Sequence, residues 1–96
     1  MVVILEVSMV RKELVFSGLV QGVGFRYRAR HSAARNSCTG WVRNDYSGTV
    51  TMEIQGEEAS IDQVILDIER GDYVRIENIE CHKIPLVIGE KGFVSR

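Results

Sequence analysis

The sequence predicts an α+β fold in which two helices cover one face of an antiparallel sheet of four or five strands. Three observations predict it: stretches of period-two alternation, two stretches of helical periodicity, and the order in which they follow one another. The chain has 96 residues, of which 45% are hydrophobic and 26% charged, as in an ordinary globular domain. We therefore expect residues 1–96 to form one domain, with residues 1–10 as a leading strand or a loose extension.

Periodicity predicts the first strand and the first helix. Residues 12–20 alternate between two faces, which is typical of a strand buried on at least one side. Residues 21–24 break this pattern with two glycines, which favour unusual backbone angles. Residues 25–35 then place an apolar residue at every fourth position, which predicts a helix with one inward stripe. The stripe consists of Phe25, Ala29 and Ala33.

A hairpin and one or two later strands are also predicted. Residues 39–44 and 49–55 predict two strands, and the turn-forming residues 44–48 lie between them. Residues 74–84 predict a fourth strand, and residues 93–94 a short fifth.

The second helix is predicted after Gly56, which we expect to end the hairpin. Ser60 with Gln63 three residues later has the spacing of a capping box, and Gly71 stands where a helix C-cap is expected. An apolar stripe at helical spacing runs between them. It consists of Ile61, Val64, Ile65 and Ile68.

The predicted order is strand, helix, strand, strand, helix, strand. This is the split β-α-β arrangement of ferredoxin-like domains, with both helices on one face of the sheet. Many unrelated functions use this fold, so a function has to be inferred from a site.

Charge is distributed unevenly along the chain. The net charge is −1, yet no carboxylate occurs between Leu14 and Asn44. That stretch holds five arginines: Arg26, Arg28, Arg30, Arg35 and Arg43. Residues 45–90 hold eleven carboxylates against three basic residues. The pattern favours a small anionic ligand over a long nucleic acid, which would require a broad basic surface. We expect no nucleic-acid partner.

The sequence also disfavours metal sites and membrane segments. The spacing of Cys38 and Cys81 matches no metal-binding or redox motif, so we expect two reduced thiols. A disulfide between them is the alternative if the fold brings them together. His31 and His82 are scattered, and we expect no metal site. No stretch approaches the ~20 apolar residues that span a bilayer, and no signal peptide is recognisable. We expect a cytoplasmic monomer with no membrane partner.

The glycine turn before the first helix predicts an anion site. Gly22 and Gly24 allow the backbone to approach a ligand, and the first N–H groups of the helix lack internal partners. Arg26 adds a permanently charged donor. The P-loop and dinucleotide motifs are excluded, because neither Gly-Lys-Ser/Thr nor a third glycine occurs here. Such a turn also occurs without a ligand, so both interpretations stay open on this pattern alone.

The second informative stretch is Gly-Trp-Val-Arg-Asn at residues 40–44. Alternation places Val42 and Asn44 on one face of the strand. It places Trp41 and Arg43 on the other face, with Trp41 in or near the core. Asn44 ends the strand, where its side chain either forms an Asx turn or hydrogen-bonds a water molecule.

Together these two motifs closely resemble the acylphosphatase family. The first is Gly-Leu-Val-Gln-Gly-Val-Gly-Phe-Arg at residues 18–26, and the second is residues 40–44. The resemblance extends to the element order, to Gly48 and to residues 91–93. It implies hydrolysis of acyl phosphates, which are carboxylic–phosphoric anhydrides, to a carboxylate and inorganic phosphate. It implies no cofactor.

The resemblance also implies roles for individual residues. In that family the arginine of the first motif binds the substrate phosphate together with loop amides, and the asparagine of the second orients the attacking water. These roles fall on Arg26 and Asn44. The implied phosphate cradle is the backbone of Gln21, Gly22, Val23, Gly24, Phe25 and Arg26.

The other polar residues near the motifs are predicted to be structural. Tyr27 and His31 are expected to be packing or surface residues, and Ser17 and Thr39 are candidates for supporting the site. Three arginines are expected on the solvated helix surface: Arg28, Arg30 and Arg35.

The chain departs from the common family pattern at three places. Many members carry an aromatic residue where this chain has Gly24, although glycine also occurs there. We expect Gly24 to loosen the loop and alter affinity without removing a catalytic group. A glycine is usual within residues 36–38, and we expect Asn36 to adopt the left-handed backbone there. The chain after Pro85 matches weakly, so its path is not predicted.

Two other functions are compatible with parts of the sequence. One is a non-catalytic or carbamoyl-phosphate-binding acylphosphatase-like module, as found in larger carbamoyl-transfer proteins. The other is RNA binding, because RNA-recognition motifs share this element order. Their aromatic motif belongs on the third strand, however, and residues 49–55 contain no aromatic residue.

Overall fold

The structure is a computed structural model that describes residues 8–96. Its elements confirm the ferredoxin-like α+β fold. They are β1 (Met9–Leu19), α1 (Phe25–Arg35), β2 (Thr39–Asn44), β3 (Val50–Glu57), α2 (Glu58–Glu69), β4 (Arg75–Ile84) and β5 (Phe93–Ser95). Most of the predicted extension, residues 1–10, lies outside the described residues, and Met9 and Val10 belong to β1.

The five strands form one sheet in the order β4-β1-β3-β2-β5. β1 lies between β4 and β3 and pairs antiparallel with both. β2 pairs antiparallel with β3, as the predicted hairpin requires. β5 pairs parallel with β2, with Gly40 opposite Phe93, so the expectation of an antiparallel sheet is wrong at this edge.

The parallel pairing follows from the path of residues 85–92. β4 ends at one edge of the sheet, where Ile84 pairs with Arg11. The chain then crosses the end of the sheet to the opposite edge, where the N–H of Gly40 bonds the carbonyl of Gly92 at 3.1 Å. β5 therefore starts at the same end as β2 and runs in the same direction.

The core lies between the sheet and the two helices. Strand residues such as Leu14, Phe16 and Val42 are almost fully buried in it. The predicted stripe of α1 is buried, and the rings of Phe25 and Phe16 meet edge to face at 4.9 Å. The stripe of α2 is buried at three of its four positions, and Ile65 is partly buried. Each large apolar side chain contributes about 1.5–3 kcal/mol of transfer free energy on burial.

The start of α2 differs from the prediction. Gly56 does not end the hairpin but lies inside β3, which continues to Glu57. The helix follows at the next residue, and its N-cap makes no side-chain hydrogen bond. Ser60 is therefore inside the helix, and the predicted capping box is wrong. Gln63 donates instead to Asp67 one turn later, at 2.9 Å.

Two helix ends also differ in detail. The left-handed residue after α1 is Ser37, with φ of 55°, and not Asn36. Asn36 is the C-cap, and its side-chain amide donates to the carbonyl of Ser32 at 2.8 Å. Gly71 follows α2 as predicted, but its φ is not positive. It is needed for close approach, since a Cβ there would lie 2.9 Å from Cδ of Arg28.

A buried arginine holds the crossing segment to the sheet. Arg11 is 2% exposed, and its Nη1 and Nη2 bond the Glu90 carboxylate at 2.7 and 3.1 Å. Its Nε donates to Glu53 at 3.0 Å, and Nη1 also donates to Gln55 at 3.2 Å. The Gln55 amide in turn exchanges two hydrogen bonds with the main chain of Val87. Residues 85–92 are thus fixed by polar contacts.

The two cysteines do not form a disulfide. Both are free, with Cys38 buried and Cys81 exposed on β4. Burial raises the pKa of the Cys38 thiol to about 11, so this thiol stays protonated near neutral pH. Neither described helix has the length and apolar character to cross a membrane.

We predict that Glu90→Gln destabilises the protein in a pH-dependent way. The hydrogen bond from Arg11 lowers the pKa of the Glu90 carboxyl, although partial burial opposes this. The ionised side chain therefore stabilises the fold above its ordinary pKa of about 4.3, and this contribution is lost as pH falls through the lower folded value. Urea unfolding at pH 7 should show a loss of about 1–3 kcal/mol, shrinking toward pH 3.

The control is Glu58→Gln, because Glu58 pairs with Lys12 at 2.8 Å on the surface, where its side chain is 63% exposed. This variant should change the unfolding free energy little. A Glu90→Gln loss that is equally small, or that is constant with pH, would contradict the structural role of the Arg11–Glu90 pair.

Candidate active site

The turn between β1 and α1 presents backbone N–H groups to solvent. Gly22 and Gly24 have φ of 72° and 81°, a left-handed conformation that glycine adopts without strain. Gly24 is the N-cap of α1, where no side chain forms a capping hydrogen bond and the first turn holds no acidic residue. The first helical bond is from the Arg28 N–H to the Gly24 carbonyl at 3.0 Å. The N–H groups of residues 25–27 therefore have no partner inside the helix.

A pocket of about 190 Å³ lies at this helix terminus. It is lined by Val20, Gly22, Gly24, Phe25, Arg26, Tyr27 and Asn44. It brings Arg26 and Asn44 together, although the two predicted residues come from separate motifs. Of the six predicted cradle residues, Gln21 and Val23 do not line it. Val23 packs against the core instead.

Arg26 is partly exposed and forms one hydrogen bond with the residue that follows β5. Its Nη1 donates to the main-chain oxygen of Arg96 at 3.3 Å. Arg96 is held by its own N–H, which donates to the carbonyl of Val42 at 2.8 Å. A guanidinium has five N–H donors, so this one bond leaves most of the Arg26 donors for a ligand.

The Trp41 ring lies on the opposite face of the sheet from Val42, beside two arginines. The guanidinium groups of Arg96 and Arg43 lie 4.6 and 5.0 Å from the ring centroid, within cation–π range. Trp41 is 7% exposed, as the prediction of a residue in or near the core requires. Two guanidinium groups lie against the ring, which is buried without belonging to the main apolar cluster.

The hydrogen bonds of the hairpin turn are made by Asp45 and not by Asn44. The Asp45 carboxylate accepts from Thr49 at 2.8 Å, Thr51 at 2.6 Å and Arg43 at 3.0 Å. Partial burial opposes ionisation of Asp45, but these three bonds together hold the pKa of its carboxyl below the ordinary value. Within residues 8–96 the Asn44 side chain makes no hydrogen bond, so its carboxamide is available to the pocket.

Gln21 connects the glycine turn to the hairpin turn. Its Nε2 donates to the carbonyls of Asp45 at 2.7 Å and Thr49 at 2.9 Å. The two segments that line the pocket are therefore held in register by one side chain. The sequence indicated only a backbone role for Gln21, and for Asp45 only a place among the turn-forming residues 44–48. No local pattern shows where a side chain bonds a distant carbonyl, so neither role was predictable from one sequence.

Ser17 donates to a β4 carbonyl at 3.5 Å, and Thr39 begins β2, at the other end of that strand from Asn44. Neither lines the pocket, and the expectation that they support the site from behind it stays a prediction. One further expectation changes. Arg28 is not simply solvated, because its Nε and Nη2 donate to the main-chain oxygen of Asp67 at 3.0 and 2.8 Å.

The remaining predictions for α1 agree with the structure. Arg30 and Arg35 are exposed. Tyr27 and His31 are exposed too, with their ring centroids 4.1 Å apart.

In the part of the chain that the structure describes, no three His, Cys, Asp or Glu residues are grouped so as to hold a metal ion.

Sequence comparison identifies relatives of the whole domain. A model of the acylphosphatase family matches residues 12–95. The acylphosphatase of Clostridium beijerinckii is 36% identical over 86 residues, which are 88% of this chain and 96% of the relative. That of Geobacillus thermodenitrificans is 46% identical over 86 residues, covering 88% of this chain and 92% of the relative.

Solved structures agree with the sequence comparison. The acylphosphatase of Bacillus subtilis superposes with a TM-score of 0.82 at 25% identity, over 91% of this chain and 98% of that one. Full-length HypF in a phosphate- and nucleotide-bound form matches with a TM-score of 0.82 at 28% identity, over 95% of this chain but 12% of HypF. By the family match along residues 12–95 and these relatives, the chain belongs to the acylphosphatase family.

Proposed function

We propose that this protein hydrolyses acyl phosphates to a carboxylate and inorganic phosphate. One observation carries the proposal: the uncapped start of α1, Arg26 and Asn44 line the same pocket, and within residues 8–96 the Asn44 carboxamide makes no hydrogen bond. Relatives that cover nearly the same length are named acylphosphatases, which supports this reaction.

The phosphate group is bound by amides and by one guanidinium. Free N–H groups at the start of α1 point toward the ligand, and the helix dipole adds partial positive charge there. Arg26 supplies charge-assisted hydrogen bonds to the phosphoryl oxygens. These donors are held before the substrate arrives, so they stabilise the charge that develops on the phosphoryl group in the transition state.

Asn44 positions the water that attacks phosphorus. Its carboxamide is uncharged and cannot take a proton at neutral pH, so its effect on the rate comes from orientation. Gln21 and Asp45 hold the turn that carries it. The carboxylate leaving group of an acyl phosphate is stable without protonation. The phosphate of the substrate itself accepts the proton of the water, and the protein supplies no general base.

A non-catalytic module that binds carbamoyl phosphate is the second candidate. The match to one segment of the much longer HypF favours it, because an acylphosphatase-like domain there is part of a larger protein. The two candidates differ in whether the bound anhydride is cleaved. Turnover of benzoyl phosphate by the purified protein, with EDTA present and p-nitrophenyl phosphate as a phosphomonoester control, separates them. Binding of phosphate without turnover by the folded protein would favour the module.

Asn44→Ala should remove most of the turnover while leaving phosphate binding intact. Loss of one preorganised polar group typically costs about 10²–10³ in rate. The measurement is kcat on benzoyl phosphate together with the inhibition constant of inorganic phosphate. Asn78→Ala, at an exposed position on β4, is the control and should retain wild-type kcat. A kcat for Asn44→Ala within a factor of two of wild type would remove Asn44 from the mechanism.

Arg26→Ala should weaken phosphate binding, because it removes a charged donor from the pocket. A hydrogen bond to a charged group contributes about 1.5–3 kcal/mol, so the inhibition constant of phosphate should rise about 10- to 100-fold. Arg30→Ala on the same helix has the same change of charge at an exposed site and should have little effect. Equal shifts in both variants would indicate general electrostatic attraction and contradict direct binding by Arg26.

Gln21→Glu should lower kcat more than it weakens phosphate inhibition. Glutamate has nearly the same size but offers no N–H to the carbonyls of Asp45 and Thr49, so the hairpin turn should shift. A displacement of about 1 Å near the reacting atoms can cost about 10²-fold in rate. Asn78→Asp is the matched control, because it makes the same amide-to-carboxylate change at an exposed position on β4 outside the pocket. Unchanged kcat in Gln21→Glu would show that Asn44 is positioned without this bridge.

A further inference from the structure

A second pocket adjoins the first along α1. It has a volume of about 240 Å³ and is lined by Tyr27, Arg28, His31, Arg35 and Asp67. Tyr27 also lines the phosphate pocket, so one side chain borders both. The proposed hydrolysis of the anhydride assigns no role to this second pocket.

The one carboxylate in this pocket is already paired. Asp67 accepts hydrogen bonds from Ser32 at 2.6 Å, Gln63 at 2.9 Å and Arg35 at 3.4 Å. The hydrogen bond from Ser32 is the main reason that the pKa of its carboxyl is lowered. Arg70 lies 4.0 Å from the same carboxylate. The single negative charge is thus surrounded by donors, and the lining of the pocket remains net positive.

The Arg28 side chain is held in place and keeps N–H donors for a ligand. Its Nε and Nη2 bond the main-chain oxygen of Asp67, which fixes the plane of the guanidinium. Among the described residues its Nη1 makes no hydrogen bond. The side chain of Arg35 is 66% exposed and makes one long bond, so it can turn toward a ligand. A guanidinium fork matches the geometry of a carboxylate or phosphate, and Arg28 and Arg35 both line this pocket.

We infer that this pocket binds a second anionic group carried by the acyl part of the substrate. The inference rests on the proposed function and narrows it to acyl phosphates whose acyl chain bears a carboxylate or a phosphate-type group. With the anhydride phosphate at the start of α1, the acyl chain leaves past Tyr27. The helix rises about 6 Å from Tyr27 to His31, which corresponds to an acyl chain of about four carbons. The anionic end of such a chain lies beside Arg28 and Arg35.

Three substrates of similar length test this inference. Butanoyl phosphate has no second anion, succinyl phosphate ends in a carboxylate, and 3-phosphonopropanoyl phosphate ends in a phosphonate. The wild-type protein should show a kcat/KM at least about 10-fold higher for one or both of the anionic substrates than for butanoyl phosphate. The reason is that a hydrogen bond between an arginine and an anion is stronger than one between neutral groups. The favoured substrate identifies which anion the pocket binds.

Variants then locate the preference. Arg28→Gln and Arg35→Gln should each lower the ratio of kcat/KM for the favoured anionic substrate to that for butanoyl phosphate by about 10-fold. Arg28 also hydrogen-bonds the main chain of α2, so Arg35→Gln disturbs the fold less than Arg28→Gln does. Arg30→Gln removes one charge from the same helix outside the pocket and should leave the ratio as it is in wild type.

The outcomes separate this inference from the proposed function. Equal kcat/KM for all three substrates overturns the inference alone. An equal fall of the ratio in Arg30→Gln and Arg35→Gln also overturns it, because the preference would then come from long-range attraction. Failure of the folded wild-type protein to hydrolyse any of the three overturns the proposed function, and the inference with it.

Discussion

The structure depends on the pairing of β1 with a strand on each side. Residues 11–16 of β1 pair with β3 and β4 at once, while its first two residues pair with β3 alone and its last three with β4 alone. Near its start, Arg11 holds the segment that crosses to the far edge of the sheet. At its other end the chain enters the glycine turn that opens the pocket. The position of the start of α1 is therefore set by the sheet, and the loop itself can remain rich in glycine.

Two groups of residues form the pocket and its surroundings. Arg26 and Asn44 line the pocket, while Gln21 and Asp45 form hydrogen bonds that join the two turns beside it. The crossing segment contributes indirectly, because it delivers β5 and with it the Arg96 oxygen that accepts a hydrogen bond from Arg26. A reaction that relies on orientation and fixed dipoles requires such support, since its donors have to be in place before the charge develops.

The fold was predictable because it depends on local patterns, whereas Arg26 and Asn44 were named from the resemblance of two motifs to a family. The structure places both residues at one pocket, and their roles stay predictions. The helix of residues 25–35 and the strand of residues 39–44 have the predicted bounds, since apolar periodicity determines which side faces the core. The parallel edge strand and the bridge made by Gln21 were not predictable. Both depend on contacts between segments far apart in the chain, and propensity carries no information about those. The capping spacing at Ser60 failed because β3 runs into α2 without a loop.

The pairing of β1 has a further consequence for synthesis of the protein. Every residue that lines the pocket at the start of α1 lies within the first half of the chain, yet Leu14 pairs with Cys81 of β4. A nascent chain that has emerged through β3 therefore contains the pocket residues while β1 still has one bare edge. Exposed edges are templates for association with other chains. The ribosome must deliver β4 before this edge is covered, so translation pauses between α2 and β4 would expose the protein to aggregation.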